Sequence, residues 1–225
     1  MNIPPRQPRE KAREFALRVL RDNIISLALT PGCKVSESEL ATKMGLSRTP
    51  IREALIELAN YGIVEIYPQN GVFISKIDYG RIEESRFMRL ALELQAVQDA
   101  CDLATPEFIE EMDDTLHIQA MYLENHNAKM LLKMDNKFHK LIFELCGKVL
   151  SYTLMQNMAV HFDRVRQLSL EMVKDIKIIE DHRLILEAVK AQDKDGARLA
   201  MAAHLSRYKT DRLIINEKYN HLISE

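Results

Sequence analysis

Asp135 and His139 are the residues from which the chemistry of this 225-residue chain is most directly argued. Spaced four apart, they share one face of any helix that carries them. His182 follows Glu180-Asp181 and opens the run His182-Arg183-Leu184-Ile185-Leu186-Glu187-Ala188-Val189, while His204 stands among Met201, Ala202, Ala203 and Leu205, which turn it inward. One carboxylate and three imidazoles from three helices can bind a divalent metal and leave positions open to water or an acidic ligand. The plainer alternative for each histidine is a satisfied core or surface residue. Spacing alone does not bring three helices together. Imidazole with carboxylate suits Zn first, and equally admits Ni, Mn or Fe. His117, His126, His161 and His221 have no such context and read as surface or structural residues.

Helices must position these side chains. From Arg81 onward there is almost no strand signal: glycine occurs only at 147 and 196, and proline only at 106. Amphipathic patterns predict helices over about 81–103, 106–125, 128–146, 149–169, 172–192 and 194–220. The clearest breaks are Thr105-Pro106-Glu107 and Asp193 to Gly196. This length and apolar content suffice for an antiparallel bundle. The eleven methionines suit an adaptable core or a ligand cavity, although any single one is more simply a core filler.

The N-terminal third is patterned differently. A helix over about 9–29 carries Ala16, Val19, Leu20, Ile24 and Ile25 as its core stripe and ends before Pro31-Gly32. Ser36 and Glu39 fit a capping box. Leu40, Ala41 and Met44 then face inward, and Gly45 closes the helix in the left-handed conformation. Ser47 or Thr49 can cap the next helix, with Pro50 in its first turn. Its apolar face is Ile51, Ala54, Leu55 and Leu58, and Arg48 and Arg52 project from the other side. Arginine suits bidentate contact with guanine or phosphate, whereas the bland alternative is a solvated charged face. Two β-rich runs, 61–67 and 72–75, flank a turn containing Asn70-Gly71, a hairpin signal. A helix-turn-helix followed by a hairpin is a winged helix, whose tip from Gln69 to Gly71 can reach a minor groove or the backbone. The expected fold is therefore mainly α: a winged helix-turn-helix over 1–78 with a small β-hairpin wing, then an antiparallel helical bundle over 79–225.

The segment Leu46 to Leu55, with Gly62-Ile63-Val64 and the wing at Gly71, resembles the DNA-binding domain of GntR-family bacterial transcription regulators. The resemblance implies DNA contacts by Ser47, Arg48, Thr49, Arg52 and Gly71, with Asn70 beside them at the wing tip. The run Arg86 to Glu93, then Asp135 to His139, Asp181-His182-Arg183 and His204, is similar to the ligand-sensing FCD domain of the fatty-acid-metabolism-regulator-like branch. That likeness implies a metal held by Asp135, His139, His182 and His204, and Arg89 facing the cavity to pair with a ligand carboxylate. The alternative for Arg89 is an intrahelical pair with Glu93.

Composition bounds the rest. Hydrophobic residues make up 47% of the chain, as in a soluble globular protein, and no apolar run has the length of a membrane span. The polar, Pro-rich start is unlike a secretory signal. Cys33, Cys101 and Cys146 lie far apart without a CxxC pair, which points to a reducing cytoplasm. The net charge of −2 divides unevenly: residues 1–78 carry 11 basic and 9 acidic side chains, the remainder 20 and 24. A basic head on an acidic body suits double-stranded DNA held at one end. The resulting expectation is a cytoplasmic homodimer on a pseudo-palindromic operator, responsive to a small carboxylate effector. A DNA-binding dimer without ligand response is the alternative. A metal-dependent hydrolase is a more distant one, since neither a further general base nor a GxSxG nucleophile is present.

Overall fold

The computed structural model describes residues 1–172 and 177–224. They divide into two compact units, Met1–Gly80 with Tyr219–Glu225, and Arg81–Lys218.

In the first unit α1 (Ala12–Ile25) buries Phe15, Ala16, Val19, Leu20 and Ile24 along one face, with Ile25 half-buried at its edge. The helix is shorter than the 9–29 expected. Ser26 caps it and Leu27 enters the left-handed region at φ 57°, turning the chain well before Pro31. β1 (Lys34–Val35) follows, and then α2 (Glu37–Met44), where the Glu39 N–H donates to Ser36 Oγ at 3.5 Å. Gly45 ends α2 at φ 64°, ψ 34°, where a side chain is disfavoured. α3 (Arg48–Asn60) starts from Ser47 and buries Ile51, Ala54, Leu55 and Leu58.

β2 (Val64–Tyr67) and β3 (Gly71–Ile74) pair antiparallel with Tyr67 opposite Gly71, and β1 adds to the far edge of β3. The sheet thus has three strands where a hairpin alone was expected, because a two-residue strand shows no alternation to read. The turn contains Asn70, as expected, and is centred just before it. The Asn70 N–H donates to the Tyr67 carbonyl at 3.1 Å and Gln69 takes φ 65°. Pro68-Gln69 therefore holds the turn centre, with proline at the position its fixed φ favours, and Asn70-Gly71 closes it. Ile77 forms a parallel bridge with Ile223 beyond the short 3-10 turn Asn220–Leu222. The sequence pattern assigns this tail to the bundle. The structure pairs it instead with the first unit, through a contact between residues too distant in sequence for periodicity to reveal.

The second unit is a helical bundle: α4 (Tyr79–Leu103), α5 (Pro106–Glu124), α6 (Ala128–Leu145), α7 (Val149–Met158), α8 (Val160–Met172), α9 (Lys177–Lys190), α10 (Lys194–Ser206) and α11 (Tyr208–Tyr219). Thr105, Asn127 and Asp193 cap α5, α6 and α10 by accepting from the N–H groups of Phe108, Met130 and Gly196. Two expected helices are each divided. Over 194–220 the break falls at Arg207. There Ser206 Oγ donates to the Ala202 carbonyl at 2.8 Å, and the Arg207 N–H reaches back only three residues to His204. Over 149–169 it falls at Ala159, whose N–H is shared between the Met155 and Gln156 carbonyls. α8 continues across residues 170–171, where a break was expected, and its junction with α9 lies outside the described residues. Val97, Ala100, Met112, Phe138, Ile142, Ile185, Leu186 and Met201 are among the core of this unit. No described helix is long and apolar enough to cross a membrane.

Candidate metal centre and nucleic-acid interface

α6 carries Asp135 and His139 one turn apart, α9 supplies His182 and α10 supplies His204. All four are buried, and one ligand atom from each lies within 4.8 Å of the others. Three Nε2 atoms converge: His139 to His204 at 3.2 Å and His182 to His204 at 3.3 Å. Asp135 faces the same point, with Oδ1 3.4 Å from His182 Nε2 and Oδ2 3.8 Å from His139 Nε2. Two nitrogens bound to a common ion at ordinary lengths stand roughly 3.0–3.4 Å apart, so the donor set fits a divalent metal. Two neutral imidazoles facing through Nε2 can share at most one proton between them, so the three facing Nε2 atoms are short of donors among themselves.

Each outer nitrogen faces an oxygen of another residue. His139 Nδ1 lies 2.5 Å from Glu93 Oε2, His182 Nδ1 lies 3.0 Å from Gln119 Oε1, and His204 Nδ1 lies 3.5 Å from Asp181 Oδ2. A proton held on Nδ1 by an oxygen acceptor leaves the Nε2 lone pair for a metal, the usual outer arrangement of histidine ligands. Phe138 stacks on His182 with ring centroids 4.0 Å apart and planes 9° from parallel, which fixes that ring. Glu93, Gln119 and Asp181 were not singled out as site residues from sequence. Asp181 had adjacency to His182 as a signal, Glu93 its spacing from Arg89, and Gln119 none.

Burial sets the protonation states. It depresses all three histidines: His204 to about 4, and His182 well below its usual range, where His204 and His139 add to the effect. Burial lowers His139 as well, with Glu93 opposing the effect. Burial alone would raise Glu93, but the charge of Arg89 and the hydrogen bonds from His139 and Arg89 outweigh it and hold the carboxyl ionised. At neutral pH the site therefore presents neutral imidazoles, the ligating form.

Arg89 makes the intrahelical pair, with Nε 2.6 Å from Glu93 Oε1 and both side chains buried. Its Nη2 has no hydrogen-bond partner among the described residues, and its guanidinium lies 5.3 Å from the Phe162 ring centroid. Arg166 stands over the same ring, pairs with Asp135 and Asp163, and donates to Asn136 Oδ1 at 2.9 Å. The spacing of Arg166 from Asp163 was visible in sequence, but its meeting with Asp135 depends on tertiary packing.

In the first unit Ser47, Arg48, Thr49 and Arg52 are exposed on the N-terminal half of α3, and Asn70 is exposed at the wing tip with Gly71 half-covered beside it. Gly71 has φ 113°, and a Cβ there would lie 2.7 Å from Lys34 Cε. A residue not foreseen, Glu37, pairs with both Arg48 and Arg52.

With this geometry in hand, the class is clear. Residues 13–74 match the gntR family of bacterial regulatory proteins and residues 84–207 match the FCD domain. The chain belongs to the GntR family, in the branch that carries an FCD domain. It is 27% identical over 219 residues to the HTH-type transcriptional repressor RspR of Escherichia coli, covering 97% of this chain and 96% of that one. It is 35% identical over 198 residues to an HTH-type transcriptional regulator from an unstable DNA locus of Streptomyces ambofaciens, covering 88% and 83%. The fold is similar to that of E. coli McbR, with a TM-score of 0.79 at 23% identity over 93% of this chain and 99% of that one. The protein is thus a DNA-binding transcription regulator and not an enzyme.

Proposed function

We propose that operator affinity is controlled by a small organic acid held in the helical unit at a divalent-metal centre of Asp135, His139, His182 and His204. The observation that carries this reading is the convergence of four buried ligand atoms from α6, α9 and α10, with each Nδ1 facing an oxygen of another residue. A bound ion supplies a compact positive charge with positions left over for a carboxylate. Arg89, with one buried Nη2 unpartnered among the described residues, offers a second anchor for that carboxylate. On the DNA side, Ser47, Arg48, Thr49, Arg52, Asn70 and Gly71 form the contact set of a cytoplasmic homodimer on a pseudo-palindromic operator. The acid shifts the regulator between two arrangements only through its differential affinity for them.

Metal content per chain tests the centre, on protein purified without chelator or a nickel column. Close to one equivalent of Zn, Ni, Mn or Fe is expected, and His182→Ala with His204→Ala should remove it. No uptake, even after each ion is added back, would overturn the metal centre. Carboxylates that alter DNA binding in the loaded protein but not in the double variant would establish the link to ligand response. Equal response in both would overturn it.

A further inference from the structure

Glu37 is the first residue of α2, and its carboxylate lies between the guanidiniums of the two arginines of α3. Arg52 Nη2 stands 2.9 Å from Oε2, and Arg52 Nε stands 3.1 Å from each oxygen. Arg48 Nη2 reaches Oε2 at 3.5 Å. The exposures are unequal: the Glu37 side chain is 18% exposed, those of Arg48 and Arg52 65% and 59%. A mostly covered anion thus holds two exposed cations from beneath. The Arg52 side chain donates to the carboxylate and keeps Glu37 ionised.

An unrestrained arginine samples many rotamers and pairs with whichever phosphate is nearest, a contact that carries no sequence information. Held along its Nε–Nη2 edge, Arg52 has a defined plane, and its Nη1 takes no part in the pair. A base edge in the major groove requires such a defined fork, whereas a phosphate does not. The carboxylate also repels every phosphate that α2 and α3 approach, which weakens binding made of backbone contacts alone. We infer that Glu37 is a specificity-determining residue of this regulator: it orients Arg48 and Arg52 toward base edges and opposes sequence-independent binding. The inference rests on Arg48 and Arg52 being DNA contacts.

The test uses the full chain and two duplexes: one enriched from a random library by the wild-type protein, and one of random sequence. Fluorescence anisotropy gives the affinity for each. Glu37→Gln, nearly isosteric, is expected to tighten binding to random DNA and to lower the ratio of the two affinities about tenfold. Glu37→Asp keeps the charge but withdraws it by one methylene. It should lower the ratio while leaving random-DNA affinity near wild type. Melting curves check that both variants fold. A Glu37→Gln effect of the same factor on both duplexes would mark a plain charge effect and overturn the inference, as would an unchanged ratio in both variants. Arg48→Ala and Arg52→Ala separate the two readings. If both lose affinity for the enriched duplex and the ratio ignores Glu37, only the role of Glu37 falls. If neither loses affinity, the contact reading falls and the role of Glu37 with it.

Discussion

His139 engages both ring nitrogens: Nε2 toward His204 and Asp135, Nδ1 toward Glu93 at 2.5 Å. The Glu93 carboxylate, ionised and shared with Arg89, makes that imidazole a stronger donor on its inner side. Glu93→Gln keeps the shape and removes the charge. It is expected to weaken metal affinity by about 10–100-fold, measured by competition against a chromophoric chelator, with the same stoichiometry at saturation. Unchanged affinity would show that Glu93 serves only Arg89. At this scale the sequence carries local signals for the four clustered side chains and few for the residues around them. Asp135 and His139 share a helical face by spacing, and His204 sits in an apolar run. Gln119, however, is joined to His182 across 63 residues by a bond that no local pattern contains.

Elements were most legible where one residue type does one local job. Gly45 is such a residue: it closes α2 at φ 64°, and a Cβ there would meet nothing within 4 Å. Gly45→Ala therefore isolates the backbone cost. It should lower the stability of the N-terminal unit by about 1–2 kcal/mol in chemical denaturation while leaving DNA affinity of the folded protein unchanged. A neutral effect would mean that the turn relaxes elsewhere. Gly71 is a different case, since its Cβ would also collide with Lys34. Other elements were less legible, for identifiable reasons. The wing turn contains Asn70, as the pattern implies, but its centre is Pro68 with Gln69 in the left-handed region, which the Asn-Gly signal does not specify. The bend at Arg207 depends on the Ser206 hydroxyl back-bonding to Ala202, which helical periodicity does not register. β1 consists of two residues and has no period at all.

For the molecule as a whole, the buried imidazoles tie stability to pH. In the unfolded chain histidine takes up its proton near an ordinary value of about 6.5. In the folded, metal-free chain burial lowers His204 to about 4 and holds His182 well below its usual range. Between those values the unfolded state binds more protons, so stability is full above the unfolded pKa and declines as pH falls toward about 4. The urea midpoint of metal-free protein should drop from pH 7.5 to pH 5, and a flat or rising midpoint would contradict neutral buried imidazoles. The division into two kinds of patterning, a helix-turn-helix with wing and then uninterrupted helix, was plain from the sequence. The return of the tail was not, because Ile77 and Ile223 meet only in the folded chain. Asp135, His139 and His182 are fully covered, and their neighbours Glu93 and Gln119 come from two further helices, α4 and α5. None of these side chains can swing away alone without parting from a packed neighbour. An ion held by these four side chains would exchange with solvent only as often as the bundle opens.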